Sequence, residues 1–134
     1  MVQADPDLFF ASIHQWPFYP GTGQAGRRGN VVNATVAAMS PREAWRAAFE
    51  SLMAPLDGFG PDLILVSAGF DAHARDPLAD QTLEAADYAW ATRAILEVAR
   101  KRCAGKVVSS LEGGYDLRAL GLSAAAHVRA LQED

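Results

Sequence analysis

The chain is poor in several things, and each shortage removes a class of function. It has a single cysteine, Cys103, among 134 residues, so neither an internal disulfide nor a cysteine-built zinc site is possible. A reducing cytoplasm is the expected location. Cations are few: 12 Lys and Arg against 16 Asp and Glu leave a net charge of -4. Phosphate contacts need clustered Lys and Arg, so nucleic acid is not an expected partner. Arg27-Arg28 is an isolated pair, and Arg100-Lys101-Arg102 closes a predicted helix, where cations complement the helix dipole. No apolar run is long enough to cross a bilayer, and no membrane partner is expected. The first residues, MVQADPDLFF, lack the basic start, apolar core and cleavage site of a signal peptide. Histidine is scarce too: His14, His73 and His127, none adjacent to another.

What is present suits one α/β domain. Asp62–Asp80 reads DLILVSAGFDAHARDPLAD. A strand over 63–68 runs into the small residues Ser67, Ala68 and Gly69, then delivers Phe70, Asp71 and His73 before turning at Asp76-Pro77. Further strands are predicted at 8–13, 31–36 and 107–111. Ser40 is expected to cap a helix with Pro41 in its first turn and Glu43 completing a capping box. Trp45, Ala48, Phe49, Leu52 and Met53 form its apolar face, and Pro55 and Gly58 end it. Thr82 is expected to cap a longer helix buried through Tyr88, Thr92, Ile95, Leu96, Ala99 and Cys103, with Gly105 as the stop. Asp116 should cap a last helix whose buried stripe is Leu117, Leu120, Ala124, Val128 and Leu131. His127 lies beside that stripe and reads as structural.

Alternation of strands and helices predicts a parallel sheet. The loops after 13, 68 and 111 then leave from one sheet edge, where α/β ligand sites form. The first of these loops carries Trp16, Phe18 and Tyr19, which either cover a core or line a pocket; the core is favoured. Residues 20–30, PGTGQAGRRGN, read as a flexible or ligand-facing loop. Gly21, Gly23 and Gly26 match a dinucleotide fingerprint formally. They follow no strand directly and precede no good helix start, so the match is read as chance.

Asp71, with His73 and Asp76 nearby, is the best metal candidate. On the residues alone, Asp71 capping a turn and Asp76-Pro77 opening a helix is the favoured alternative. Tyr115, after two glycines, could donate a hydrogen bond to a developing oxyanion. It could equally pack at a strand–helix corner with its hydroxyl in water, and both readings stay open.

Taken together, Ser12-Ile13-His14 with Phe18-Tyr19-Pro20-Gly21-Thr22-Gly23, then Ser67–His73 with Asp76-Pro77-Leu78, then Leu111–Tyr115, resemble the zinc-dependent histone deacetylase family. The likeness is to its class II branch and bacterial relatives. It implies the three-layer, parallel-sheet arginase/deacetylase α/β fold and hydrolysis of an acetylated lysine or another acetylated small amine. By resemblance, Asp71 is one of three zinc ligands and Tyr115 polarises the acetyl carbonyl. Tyr19, Leu78, Gly113 and Gly114 border the substrate tunnel. Ser12 and the Ile13 carbonyl help to hold a monovalent cation, usually potassium. His73 inherits no ligand role and reads as lying behind the ligands or at the surface.

The family's Asp-x-His ligand pair and its His-His base pair have no match here. The chain is therefore expected to be the C-terminal third to half of a deacetylase domain, inactive alone. An N-terminal half supplied by another chain, or a non-catalytic homo-oligomer built on an exposed sheet edge, are the rival expectations.

Overall fold

The computed structural model describes residues 2–133. The elements are β1 (Phe10–Gln15), β2 (Gly26–Arg28), β3 (Val31–Val36), α1 (Arg42–Glu50), α2 (Met53–Phe59), β4 (Ile64–Ala68), α3 (Ala85–Cys103), β5 (Val107–Leu111) and α4 (Leu117–Leu131). As the alternation requires, β1 pairs with β3 and β4 with β5 in parallel. One sheet was the expectation; the described residues form two, ordered β1-β3-β2 and β4-β5. Between them lies a cleft of about 680 Å³, bordered by Ile13, Val66 and Phe70 and floored by Trp45 and Phe49. β1 begins later than predicted and absorbs His14 and Gln15, because its ladder with β3 runs from Phe10 opposite Val31 to Gln15 opposite Val36.

The main core joins Val36, Trp45, Phe49, Ala68, Phe70, Leu83, Tyr88 and Ala91, so α1 and α3 cover one face of β4. On the other face Leu65 and its register partner Val108 are exposed. Strands of parallel sheets are usually covered on both faces. Here one apolar face stands open.

Three expected helix ends are placed differently. Ser40 does not cap α1; its hydroxyl donates to the Ala37 carbonyl at 2.8 Å, and Pro41 stands at the N-cap. Pro55 and Gly58 do not end a helix but lie within α2, which Gly60 closes with a left-handed backbone, φ 72°. Pro55 sits in the first turn, where a missing N–H costs no intrahelical bond. Thr82 donates to the Ser40 carbonyl at 2.7 Å instead of capping α3.

Glu84 is the N-cap of α3, and the Asp87 side chain accepts its backbone N–H at 2.8 Å. Asp87 is fully buried. Arg42 reaches it through Nε at 2.7 Å and Nη2 at 3.1 Å, and Arg46 through Nε at 2.8 Å and Nη2 at 2.6 Å. Burial opposes its ionisation, yet the hydrogen bonds from Arg42, the Glu84 N–H and Arg46 prevail and hold the carboxyl below its usual range. One carboxylate thus joins α1 to the start of α3.

Asp116 caps α4 as expected, accepting the Ala119 N–H at 2.8 Å. Of the expected stripe, Leu120 and Ala124 pack against the main core, but Leu117 is 82% exposed and Val128 48% exposed; the buried positions are Ala119, Ser123, His127 and Ala130. Small residues let α4 approach α3 closely, and that contact outranks the burial of the largest side chains. His127 is structural, as read. Thr92 donates to the Tyr88 carbonyl at 2.6 Å, so its oxygen accepts from His127 Nδ1 at 2.7 Å, and His127 Nε2 accepts from Ser109 at 2.8 Å.

Burial holds the His127 pKa below its ordinary value. The unfolded chain therefore binds more protons below about pH 6.5, and stability present above that pH is lost as pH falls through the folded pKa. Thermal melts should show the midpoint dropping between pH 7 and pH 5, with a shallower drop for His127→Gln. An equal drop in both proteins refutes this.

Candidate active-site loops

The β4–β5 ladder continues past both strands. Glu112 N–H donates to the Ala68 carbonyl at 3.0 Å, and Phe70 N–H donates to the Gly113 carbonyl at 2.8 Å. This brings the Asp71 loop and the Gly113-Gly114-Tyr115 loop together, as the parallel order requires. The Asp71 carboxylate lies between two glycines. A Cβ on Gly113 would stand 2.8 Å from Oδ2 and 2.9 Å from Cγ, and one on Gly69 would stand 3.0 Å from Oδ1. Any side chain at either position would displace the carboxylate. Gly114, with φ 135°, lets the chain turn over Leu120 and Phe70.

Two residues support these loops without having been singled out for it. The Tyr88 hydroxyl donates to the Phe70 carbonyl at 3.0 Å, fixing the backbone just before Asp71. Burial, then the neighbouring Asp71 and Asp76 carboxylates, push the Tyr88 phenol far above its ordinary pKa, so it remains a donor. Its place on the apolar stripe of α3 gave no sign of this. Asp76, read as a metal candidate or a helix opener, does neither. Its Oδ1 accepts the Leu78 N–H at 2.9 Å and its Oδ2 accepts the Tyr115 N–H at 2.8 Å. No helix follows Pro77. His73 is buried, which removes the surface reading, and its Nδ1 accepts the Arg75 N–H at 3.1 Å.

The aromatic loop does not cover a core. Tyr19 is 91% exposed, and both it and Phe18 border the cleft that Asp71 and Gly113 also border. Leu78 and Tyr115 are exposed and are not among the residues that line the cleft. Gly26 opens β2 rather than a helix, so the dinucleotide reading is excluded, as expected. His14 Nε2 meets the Gly23 carbonyl at 2.8 Å, and Nδ1 meets Ser12 Oγ at 3.0 Å. A carbonyl only accepts, so Nε2 carries the proton and Nδ1 accepts from Ser12. Lone pairs on Ser12 Oγ are left free for a cation, and His14 ties Ser12 to the glycine loop beyond Tyr19.

The glycine cradle suits a carboxylate that acts as a metal ligand, since it leaves both oxygens of Asp71 uncrowded. Among the described residues, no three His, Cys, Asp or Glu side chains converge to hold a metal. A catalytic zinc site takes three protein ligands and an open position. The described residues do not make up such a set.

The whole arrangement has close counterparts among known proteins. Residues 1–131 match the family model described as the histone deacetylase domain. Histone deacetylase 10, chloroplastic, of Oryza sativa subsp. japonica is 44% identical over 133 residues, covering 94% of this chain and 30% of the relative. Histone deacetylase 14, chloroplastic, of Arabidopsis thaliana is 42% identical over 134 residues, covering 95% of this chain and 32% of the relative. The solved structure of the histone deacetylase Clr3 superposes with a TM-score of 0.81 at 35% identity, covering 96% of this chain and 23% of that one. The chain spans about a third of the length of these two curated relatives. The structural likeness places its parallel strands and helices in the deacetylase fold.

Proposed function

Because the chain belongs to the histone deacetylase family, we propose that it is the acyl-site segment of a zinc-dependent amidohydrolase acting on acetyl-lysine or another acetylated amine. The observation that carries this reading is the Asp71 carboxylate, set between Gly69 and Gly113 beside the Gly-Gly-Tyr loop. In the complete domain Asp71 is one zinc ligand, and the remaining ligands and the general base come from outside these residues. Zinc, when bound, polarises the acyl carbonyl and activates water. This chain's own part is to hold a ligand, to place the Tyr115 hydroxyl as a donor to the acyl oxygen, and to wall the tunnel with Tyr19, Leu78, Gly113 and Gly114. Ser12 and the Ile13 carbonyl contribute to a potassium site, for which the free lone pairs on Ser12 are suited. A reducing cytoplasm remains the proposed location, in keeping with the buried free thiol of Cys103.

Alone, the chain is expected to bind less than stoichiometric zinc and to leave a fluorogenic acetyl-lysine peptide intact. Both are expected to be gained when the rest of a deacetylase domain is supplied. Metal analysis with the peptide assay checks this, and full zinc loading with turnover by the isolated chain overturns it.

The open face at Leu65 and Val108 favours a second reading, a non-catalytic module that self-associates there. A stable monomer in light scattering rules that out.

A further inference from the structure

The clasp at Asp76 reaches beyond the roles already assigned. We propose that Asp76 is a positioning residue that holds Tyr115 and the tunnel rim at Leu78 in one fixed relation. The proposal rests on the reading of Tyr115 as the acyl-oxygen donor.

The Asp76 loop is itself well anchored. Asp76 N–H donates to the His73 carbonyl at 2.8 Å, Ala74 N–H donates to the Leu83 carbonyl at 2.8 Å, and His73 forms a parallel bridge with Leu83. Leu83 is buried in the main core. From this base each oxygen of Asp76 takes a different backbone: Oδ1 the Leu78 N–H, Oδ2 the Tyr115 N–H. The next residue pair repeats the link, since Arg75 Nη2 reaches Asp116 Oδ2 at 3.4 Å. Two consecutive residues of one loop thus grip two consecutive residues of the other.

The grip matters because of what precedes Tyr115. Gly113 and Gly114 have no side chains with which to fix the approach, and Gly114 lies at φ 135°. The ladder holds the chain at Gly113 and the helix cap holds it at Asp116. Between those points, Asp76 is the described partner of the Tyr115 backbone. Only a carboxylate of this length offers two acceptors at once. Asparagine has nearly the same shape but one oxygen, so one of the two N–H groups would face an amide NH₂ instead.

The test uses the chain and a complete deacetylase domain containing it. In the chain, Asp76→Asn should speed amide hydrogen exchange at Tyr115 while far-UV circular dichroism is unchanged. In the complete domain, it should lower kcat about tenfold with KM and bound zinc unchanged, as a misplaced catalytic group does. Tyr115→Phe should lower kcat about a hundredfold. Adding Asp76→Asn to Tyr115→Phe should lower it no further, because a strut has no effect once its hydroxyl is gone. Additive losses, unchanged kcat, or loss of zinc in Asp76→Asn would each overturn the proposal. A Tyr115→Phe enzyme within threefold of the parent instead overturns the role of Tyr115, and hydrogen exchange still decides whether the clasp exists. If Asp76→Asn does not fold, Asp76→Glu makes the same comparison, since its two oxygens sit one methylene too far out.

Discussion

Gly113→Ala is expected to abolish deacetylation in a complete domain, by a hundredfold or more, while leaving the fold of this segment intact. The added methyl would lie 2.8 Å from Asp71 Oδ2 and 2.9 Å from its Cγ, well inside ordinary carbon–oxygen contact. The neighbour is a short side chain, so it cannot yield by bending a flexible end. It must rotate away from the position proposed for it as a zinc ligand, and displacements of about 1 Å at a reacting centre cost about a hundredfold. The backbone at Gly113 does not require glycine, in contrast to Gly114 at φ 135°. The damage should therefore be local and steric. Zinc content and turnover measured on the same preparation check this; a fully loaded variant within threefold of the parent refutes it.

Asp87→Ala carries the largest expected effect on stability. Removing the carboxylate takes the common partner from two guanidinium groups, each about a third exposed and Arg42 still paired with Glu84, and removes the acceptor of the Glu84 N–H. Losing charge-assisted hydrogen bonds together with a helix-cap acceptor typically costs about 2–3 kcal/mol. For a chain of this size that is a drop in melting temperature of roughly 7–11 °C. Asp87→Asn should fall between the two, because it keeps an acceptor for the α3 N-terminus. The sign with pH follows from the depressed carboxyl pKa. The contribution is complete above about pH 4 and is lost as pH falls through the folded value. The gap between parent and Asp87→Ala should accordingly narrow on acidification towards pH 3, as paired thermal melts would show.

These cases also mark how far the sequence could be read. β3, β5 and the Asp116 cap were legible because each depends on residues a few positions apart. The meeting of Asp71 with Gly113 was legible as well, since parallel order sends their loops to one edge. The cap of α3 was not. Thr82 is the better capping residue in isolation, but Arg42 and Arg46, more than forty positions away, give Asp87 a partner only the fold supplies. The face of α4 was only partly legible, through Leu120 and Ala124, for a related reason: side-chain size predicts burial, whereas close helix contact selects for smallness at Ala119, Ser123 and Ala130. Asp76 was the hardest to place. Its sequence setting, before a proline, is that of a turn residue, and one oxygen does make that turn with Leu78; the other leaves the local segment for Tyr115.

The gap between the two sheets has a meaning for the chain's life in a cell. β1 and β4 each end a sheet, and Leu65 and Val108 lie bare on the second. Bare strand edges recruit extended segments of other polypeptides, and exposed apolar surface is what chaperones and proteases recognise. A cell making these residues without the remainder of a deacetylase domain would hold them on chaperones or degrade them. Their abundance would then follow the supply of whatever covers the cleft, and pulse–chase turnover would measure that dependence directly.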